Sequence, residues 1–176
     1  MLYNHSELSC ECQLWYAGFR MLTERELYSA DNCSLGRALE LVGERWTMLV
    51  MREAFLGARR FDDFQRLTGC ARNVLAARLA KLVDSGIFER VPYREPNQRA
   101  RHEYLLTEKG RDLATAVVAL VQWGDRWEAD AAGPPVVVRH RGCGSETRAA
   151  VVCRKHGTLN VRDITASIGP GAKRIA

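Results

Sequence analysis

Two short amphipathic segments that meet at a single glycine constrain this chain more than any other feature it carries. Phe61, Phe64 and Leu67 fall at helical spacing, and Asp62 and Asp63 beside them suit the positive end of a short helix. The pattern stops at Thr68-Gly69, where glycine can take a positive φ without steric cost and let the chain turn before it restarts at Ala71. In the second segment Val74, Leu75, Leu79, Leu82 and Val83 make an apolar stripe at three- and four-residue spacing, with Arg72, Asn73, Arg78 and Lys81 off it. The pair is expected to be two helices packed across a tight turn, the second with a basic, amide-bearing outer face.

Gly86 ends the second helix, and Ile87, Phe88, Glu89, Arg90 and Val91 suit a strand, with Pro92 barring its continuation as a central one. Residues 93–101 form a turn-rich loop holding Arg94, Arg99 and Arg101, and residues 102–106 read as the returning strand. Thr107, Glu108 and Gly110 open a further helix that runs through Trp123 and Trp127, until Gly133-Pro134-Pro135 breaks it. Helix, turn, helix, strand, basic loop, strand, helix is the order of a winged helix-turn-helix. The expected class is mainly α with a small β wing (α+β), with an N-terminal helical extension and a short, β-hairpin-like C-terminal tail. The expected segments are residues 1–32 for the extension, a possible dimerisation arm, 33–132 for the winged domain and 133–176 for the tail.

Geometry explains why such an arrangement suits DNA. One α-helix fits the major groove, where Arg bonds guanine and Asn bonds adenine, while arginines on a β loop reach phosphates or the minor groove. Residues 59–111 hold twelve Lys or Arg against seven Asp or Glu, and the arginines recur in the second helix and the loop. Arg72, Asn73 and Arg78 are therefore the candidates for base edges, Lys81 for phosphate, and Arg94, Arg99 and Arg101 for the wing. Trp46 and Phe61 read as core residues that position these elements.

Between about Cys33 and Trp127 the chain resembles the HxlR type of winged-helix regulator. The matching pieces are Cys33, Gly43-Glu44-Arg45-Trp46, Arg60-Phe61, Asn73-Val74-Leu75-Ala76-Ala77-Arg78-Leu79, Gly86-Ile87-Phe88-Glu89-Arg90 and Tyr104-Leu105-Leu106-Thr107-Glu108-Lys109-Gly110, in that order. The resemblance implies a homodimeric transcription regulator that places one recognition helix per subunit in a roughly palindromic double-stranded DNA operator. It also implies that Cys33 is a candidate oxidant sensor, with Arg37 one helical turn on to favour its thiolate.

The rest of the chain narrows the alternatives. With 176 residues, 47% of them hydrophobic, one ordinary core is expected. No apolar run approaches the ~20 residues that span a bilayer, and Glu7 and Glu11 interrupt the N-terminal apolar residues, so a cytoplasmic protein is expected. Met21 is an alternative start of translation. A helix over the first 32 residues would place Trp15 and Phe19 on one face, suited to packing on the long C-terminal helix within a subunit or across a dimer. Phosphate-cradling glycine loops, GxSxG and HExxH are absent, so no enzyme is expected, and no small-molecule effector is indicated.

Residues 133–176 carry eight basic and two acidic side chains and the one constellation suited to a metal. His140 and Cys143 are separated by two residues, as are Cys153 and His156, so two tight turns can supply the four N and S ligands of a tetrahedral zinc ion. Packing residues or free thiols are the other reading. Cys10 and Cys12 are poorly spaced for a disulfide with each other, and Cys70 falls in the turn before the second helix, where oxidation would alter DNA contact. DNA binding requires no cofactor on this reading. The alternative function is a winged-helix protein-interaction module with a zinc-binding tail.

Overall fold

The computed structural model describes residues 29, 31–94 and 100–175. The N-terminal extension lies almost wholly outside the described residues, as does Arg99. The chain divides into two compact units, one of Ala38–Ala149 and one of Met1–Arg37 with Ala150–Ala176.

Helix α1 (Ser34–Val42) leads into α2 (Arg45–Phe55) through Gly43-Glu44. A side chain at position 43 has no room there, since a Cβ would stand 2.5 Å from the Leu39 carbonyl oxygen. Helix α3 (Phe61–Thr68) closes on Gly69 at φ 69°, the left-handed conformation expected from its sequence, and the Gly69 N–H donates to the Gln65 carbonyl. Helix α4 (Arg72–Asp84) follows with Ala71 as its N-cap. Its Leu75, Leu79 and Leu82 are fully buried against Val50 and Met51 of α2 and Phe64 of α3, and Val74 and Val83 pack on the same cluster. Trp46 and Phe61 pack on it too, as expected, whereas Leu67 is 44% exposed.

The wing is an antiparallel pair, β1 (Phe88–Tyr93) and β2 (Arg101–Leu106), in register from Phe88 opposite Leu106 to Tyr93 opposite Arg101. Strand β1 begins one residue later than its composition indicates and passes through Pro92. Its position explains this: β2 lies between β1 and a bridge from Arg60 to Glu103, so β1 is an outer strand and the missing Pro92 N–H leaves no ladder bond broken. Phe64, Phe88 and Tyr104 form an aromatic triad with ring centroids 6.1 to 6.5 Å apart, joining α3 to both strands. The helix expected to start at Thr107 is two, α5 (Glu108–Asp112) and α6 (Ala114–Trp127), with a turn at Leu113.

One junction ties α4, the wing and α5 together. The Thr107 hydroxyl accepts from the Gly110 N–H as an N-cap and lies 2.6 Å from the Gly86 carbonyl oxygen, to which it donates. The Thr107 N–H donates to the Ile87 carbonyl, and Lys109 Nζ donates to the Ser85 carbonyl. Gly110 is buried directly beneath, where a Cβ would stand 2.2 Å from the Ile87 carbonyl oxygen.

The tail contains two small hairpins. In the first unit the Thr147 N–H donates to the Val138 carbonyl, the His140 N–H donates to the Ser145 carbonyl, and Arg139 bridges Glu146. Gln122 of α6 holds this hairpin's end, donating to the Thr147 carbonyl and accepting from the Ala149 N–H. In the second unit β3 (Val152–Cys153) pairs with β4 (Gly157–Thr158). Among residues 133–175 no side chain is buried.

Replacing Gly110 by Ala must push the Ile87 carbonyl or α5 out of place, and we expect a loss of about 1–3 kcal/mol. Chemical denaturation measures it; an unchanged midpoint would show that the junction tolerates a side chain and does not set the angle between α4 and α5.

Candidate nucleic-acid interface

Helix α4 presents two unlike faces. Opposite its buried leucines, Arg72, Asn73, Ala76, Ala77, Ala80 and Lys81 are exposed. The three alanines keep the centre of this face low, so that a surface can approach the helix backbone, and the first turn carries no acidic residue and no side-chain cap. Its leading N–H groups and positive dipole end are therefore open to an anion.

The candidate side chains are held in different ways. Arg72 is well exposed, with its guanidinium 4.8 Å from the Phe61 ring centroid and 3.9 Å from Asp62. The other oxygen of Asp62 lies 3.2 Å from Arg101 on β2. One carboxylate thus aligns an arginine from the second helix with one from the wing. Sequence reasoning placed Asp62 only at a helix dipole and missed this role, because the partner from β2 arrives through tertiary structure. Arg78 is not presented in the same manner. Its side chain is only 24% exposed and ion-paired to Glu44 at the start of α2, with Nε buried and lacking an acceptor. Lys81 is exposed, and its Nζ donates to the Glu40 carbonyl of α1.

At the wing, Arg94 is exposed just beyond β1, and Arg101 opens β2. Arg60 stacks 4.5 Å over the Tyr93 ring and pairs with Glu103, which braces the base of the hairpin.

The cysteines occupy contrasting surroundings. Cys70 is only 2% exposed and belongs to the core, and burial pushes its thiol pKa up. The turn thus carries the Cys70 thiol inward, away from the surface where its oxidation would alter DNA contact. Cys33 is partly exposed at the start of α1 and, with Arg37 and Lys173, lines a cavity of about 610 Å³ within the second unit.

Each of the expected metal-ligand pairs sits at the turn of its own hairpin. His140 Nδ1 lies 3.1 Å from Cys143 Sγ, and Cys153 Sγ lies 3.4 Å from His156 Nδ1. Hydrogen bonds from Ser145, then from His140, lower the Cys143 pKa to about 7, and the backbone N–H groups of Lys155 and His156 lower that of Cys153. Among the described residues, no three His, Cys, Asp or Glu side chains gather into one metal-holding group.

Comparison with known proteins agrees with this geometry. The model of the HxlR-like helix-turn-helix matches residues 41–132. An uncharacterized HTH-type transcriptional regulator of Mycobacterium tuberculosis H37Rv is 49% identical over 141 residues, which is 80% of this chain and 88% of that relative. A second, from Synechocystis sp. PCC 6803, is 34% identical over 96 residues, 54% of this chain and 70% of its own. Among solved structures, PA1607, a candidate transcription factor, superposes with a TM-score of 0.69 at 34% identity, covering 78% of this chain and 96% of its own. The candidate transcription factor PA1374 from Pseudomonas aeruginosa gives 0.56 at 37% identity, covering 80% and 95%. With the buried and exposed faces of α4, the Gly69 turn and the wing all in the expected places, this chain belongs to the HxlR-like helix-turn-helix family.

Proposed function

We propose that the protein is a transcription regulator that binds double-stranded operator DNA as a homodimer, with α4 in the major groove and the wing on the backbone or minor groove. The observation that carries this reading is the exposed face of α4, where Arg72 and Asn73 flank a low, alanine-lined surface at an uncapped helix start. Asn73 and Arg72 read base edges, and the alanines admit the helix and meet thymine methyl groups. Lys81, Arg94, Arg99 and Arg101 bind phosphate or the minor groove. Arg78 serves this surface from behind: its pair with Glu44 fixes α4 against α2, so the recognition face enters the groove at a set angle.

Homodimerisation is supported by α6. Leu120, Trp123 and Trp127 recur at three- and four-residue spacing and are 59%, 58% and 61% exposed. Exposed tryptophans in such a stripe are costly in water, and each can bury ~150–250 Å² against a partner. A two-fold dimer would set two copies of α4 about 34–36 Å apart, one turn of DNA. Within the same reading we assign oxidant sensing to Cys33, the partly exposed thiol one turn from Arg37.

Three measurements check these assignments. Asn73→Ala is expected to reduce discrimination between operator and random DNA by about 1–3 kcal/mol, while Arg99→Ala weakens both alike and flattens the salt slope by about one unit; equal loss on every DNA for Asn73→Ala would remove it from the base-reading set. Sedimentation of the Trp123→Glu, Trp127→Glu double variant is expected to give the monomer mass, and an unchanged dimer would place the interface elsewhere. Diamide should weaken operator binding of the native chain and leave Cys33→Ser unaffected, whereas an identical response in both would clear Cys33 of the sensing role. Absence of DNA binding at low salt would instead favour the protein-interaction module.

A further inference from the structure

Two side chains at the start of α3 hold the first arginine of α4. The Arg72 guanidinium lies 4.8 Å from the Phe61 ring centroid, and its Nη1 lies 3.9 Å from one oxygen of Asp62. The other Asp62 oxygen lies 3.2 Å from Nη1 of Arg101, which opens β2. All three charged side chains are more than half exposed, so these pairs add little to stability and can open when a polyanion approaches. The helix dipole does not require an acid at position 62 either. Asp63 also brings negative charge to the first turn of α3, and it pairs with Arg66 on the same helix.

A guanidinium has five N–H donors, so one ring face and one carboxylate oxygen leave Arg72 an edge for the bidentate contact that reads guanine. The same two neighbours limit how far that edge can swing. To clamp a phosphate at a site with no guanine in reach, Arg72 must leave both Phe61 and Asp62, and the freed carboxylate then faces a group of like charge. At a matching site the arginine stays where it is held. The second oxygen of Asp62 links two elements, because an arginine of α4 and one of the wing share a single carboxylate. Removing either arginine therefore changes how strongly the other is held.

We propose that Asp62 is a specificity-determining residue of the DNA interface, which aims Arg72 at a base edge and couples it to Arg101 of the wing. It is a positioning residue, acting through the two arginines and not on DNA itself. The inference rests on the reading of α4 and the wing as the DNA-contacting surfaces, and it names the residue that makes them respond together.

The test uses the full-length protein and a site selected with it from a randomised duplex pool, against a random duplex of equal length over a salt series. In Asp62→Asn, which keeps the shape and removes the charge, affinity for the random duplex is expected to rise about threefold and its salt slope to steepen by about one unit. Discrimination between the two duplexes should fall about fivefold or more. A merely structural role would weaken binding to both duplexes alike and shift the denaturation midpoint. A second measurement is made in the native background: the losses of selected-site affinity in Arg72→Ala and Arg101→Ala should be non-additive by about threefold or more, and should become additive when Asp62→Asn is also present. Discrimination retained in Asp62→Asn, or additive arginine losses in the native background, would overturn the proposal. If Asp62→Asn does not fold, the arginine pair in the native background decides alone. Failure of the native chain to enrich any site would sink the DNA reading itself, and the role of Asp62 with it.

Discussion

The angle between α4 and α5 rests on one close approach of backbone to backbone. Gly110 lies against the Ile87 carbonyl, and the Thr107 hydroxyl bridges the end of α4 to the start of α5. No side chain larger than hydrogen fits at position 110, and a hydroxyl that both accepts from a helix N–H and donates to a carbonyl leaves little freedom. The wing is then stretched between this junction and the Arg60 bridge, and the aromatic triad fills the space beneath it. The buried leucines of α4 therefore do more than stabilise a core. They set a rigid base from which the opposite, exposed face of the helix is presented.

Electrostatics on that face are organised by carboxylates. Asp62 draws Arg72 and Arg101 toward each other from two elements. These pairs are largely exposed, so each contributes little to stability, on the order of 0–1 kcal/mol. Their value is in placement: arginines already ordered have less freedom to lose when a phosphate or a base edge replaces the carboxylate. Glu44 acts differently, since it holds an arginine that is three-quarters covered and so anchors α4 to α2.

Much of the fold was legible in the residues, and the parts that were not share a cause. Helical spacing, Gly69 and Gly86 marked α3 and α4 because local periodicity and a positive φ are properties of a few neighbouring residues. The extent of β1 was not, since whether Pro92 is tolerated depends on which strand lies beside it. The pairings of Asp62 and Arg78 were hidden for the same reason, as was the burial of Cys70, which a turn of polar appearance concealed. In the tail, the donor spacing was legible, while the separate hairpin carrying each pair depends on backbone pairing that spacing does not encode, His140 with Ser145 in one and Cys153 with Gly157 in the other.

A recognition role for α4 requires that it distinguish one DNA sequence from another. The direct measurement is fluorescence anisotropy of the reduced, full-length protein on DNA from upstream of its own gene, against shuffled DNA of equal length, over a salt series. Binding to the native sequence is expected to be tighter at every salt concentration, with affinity falling as salt rises by about 0.9 logarithmic units per unit of log salt for each phosphate neutralised. Failure to bind either DNA at low salt would contradict that role.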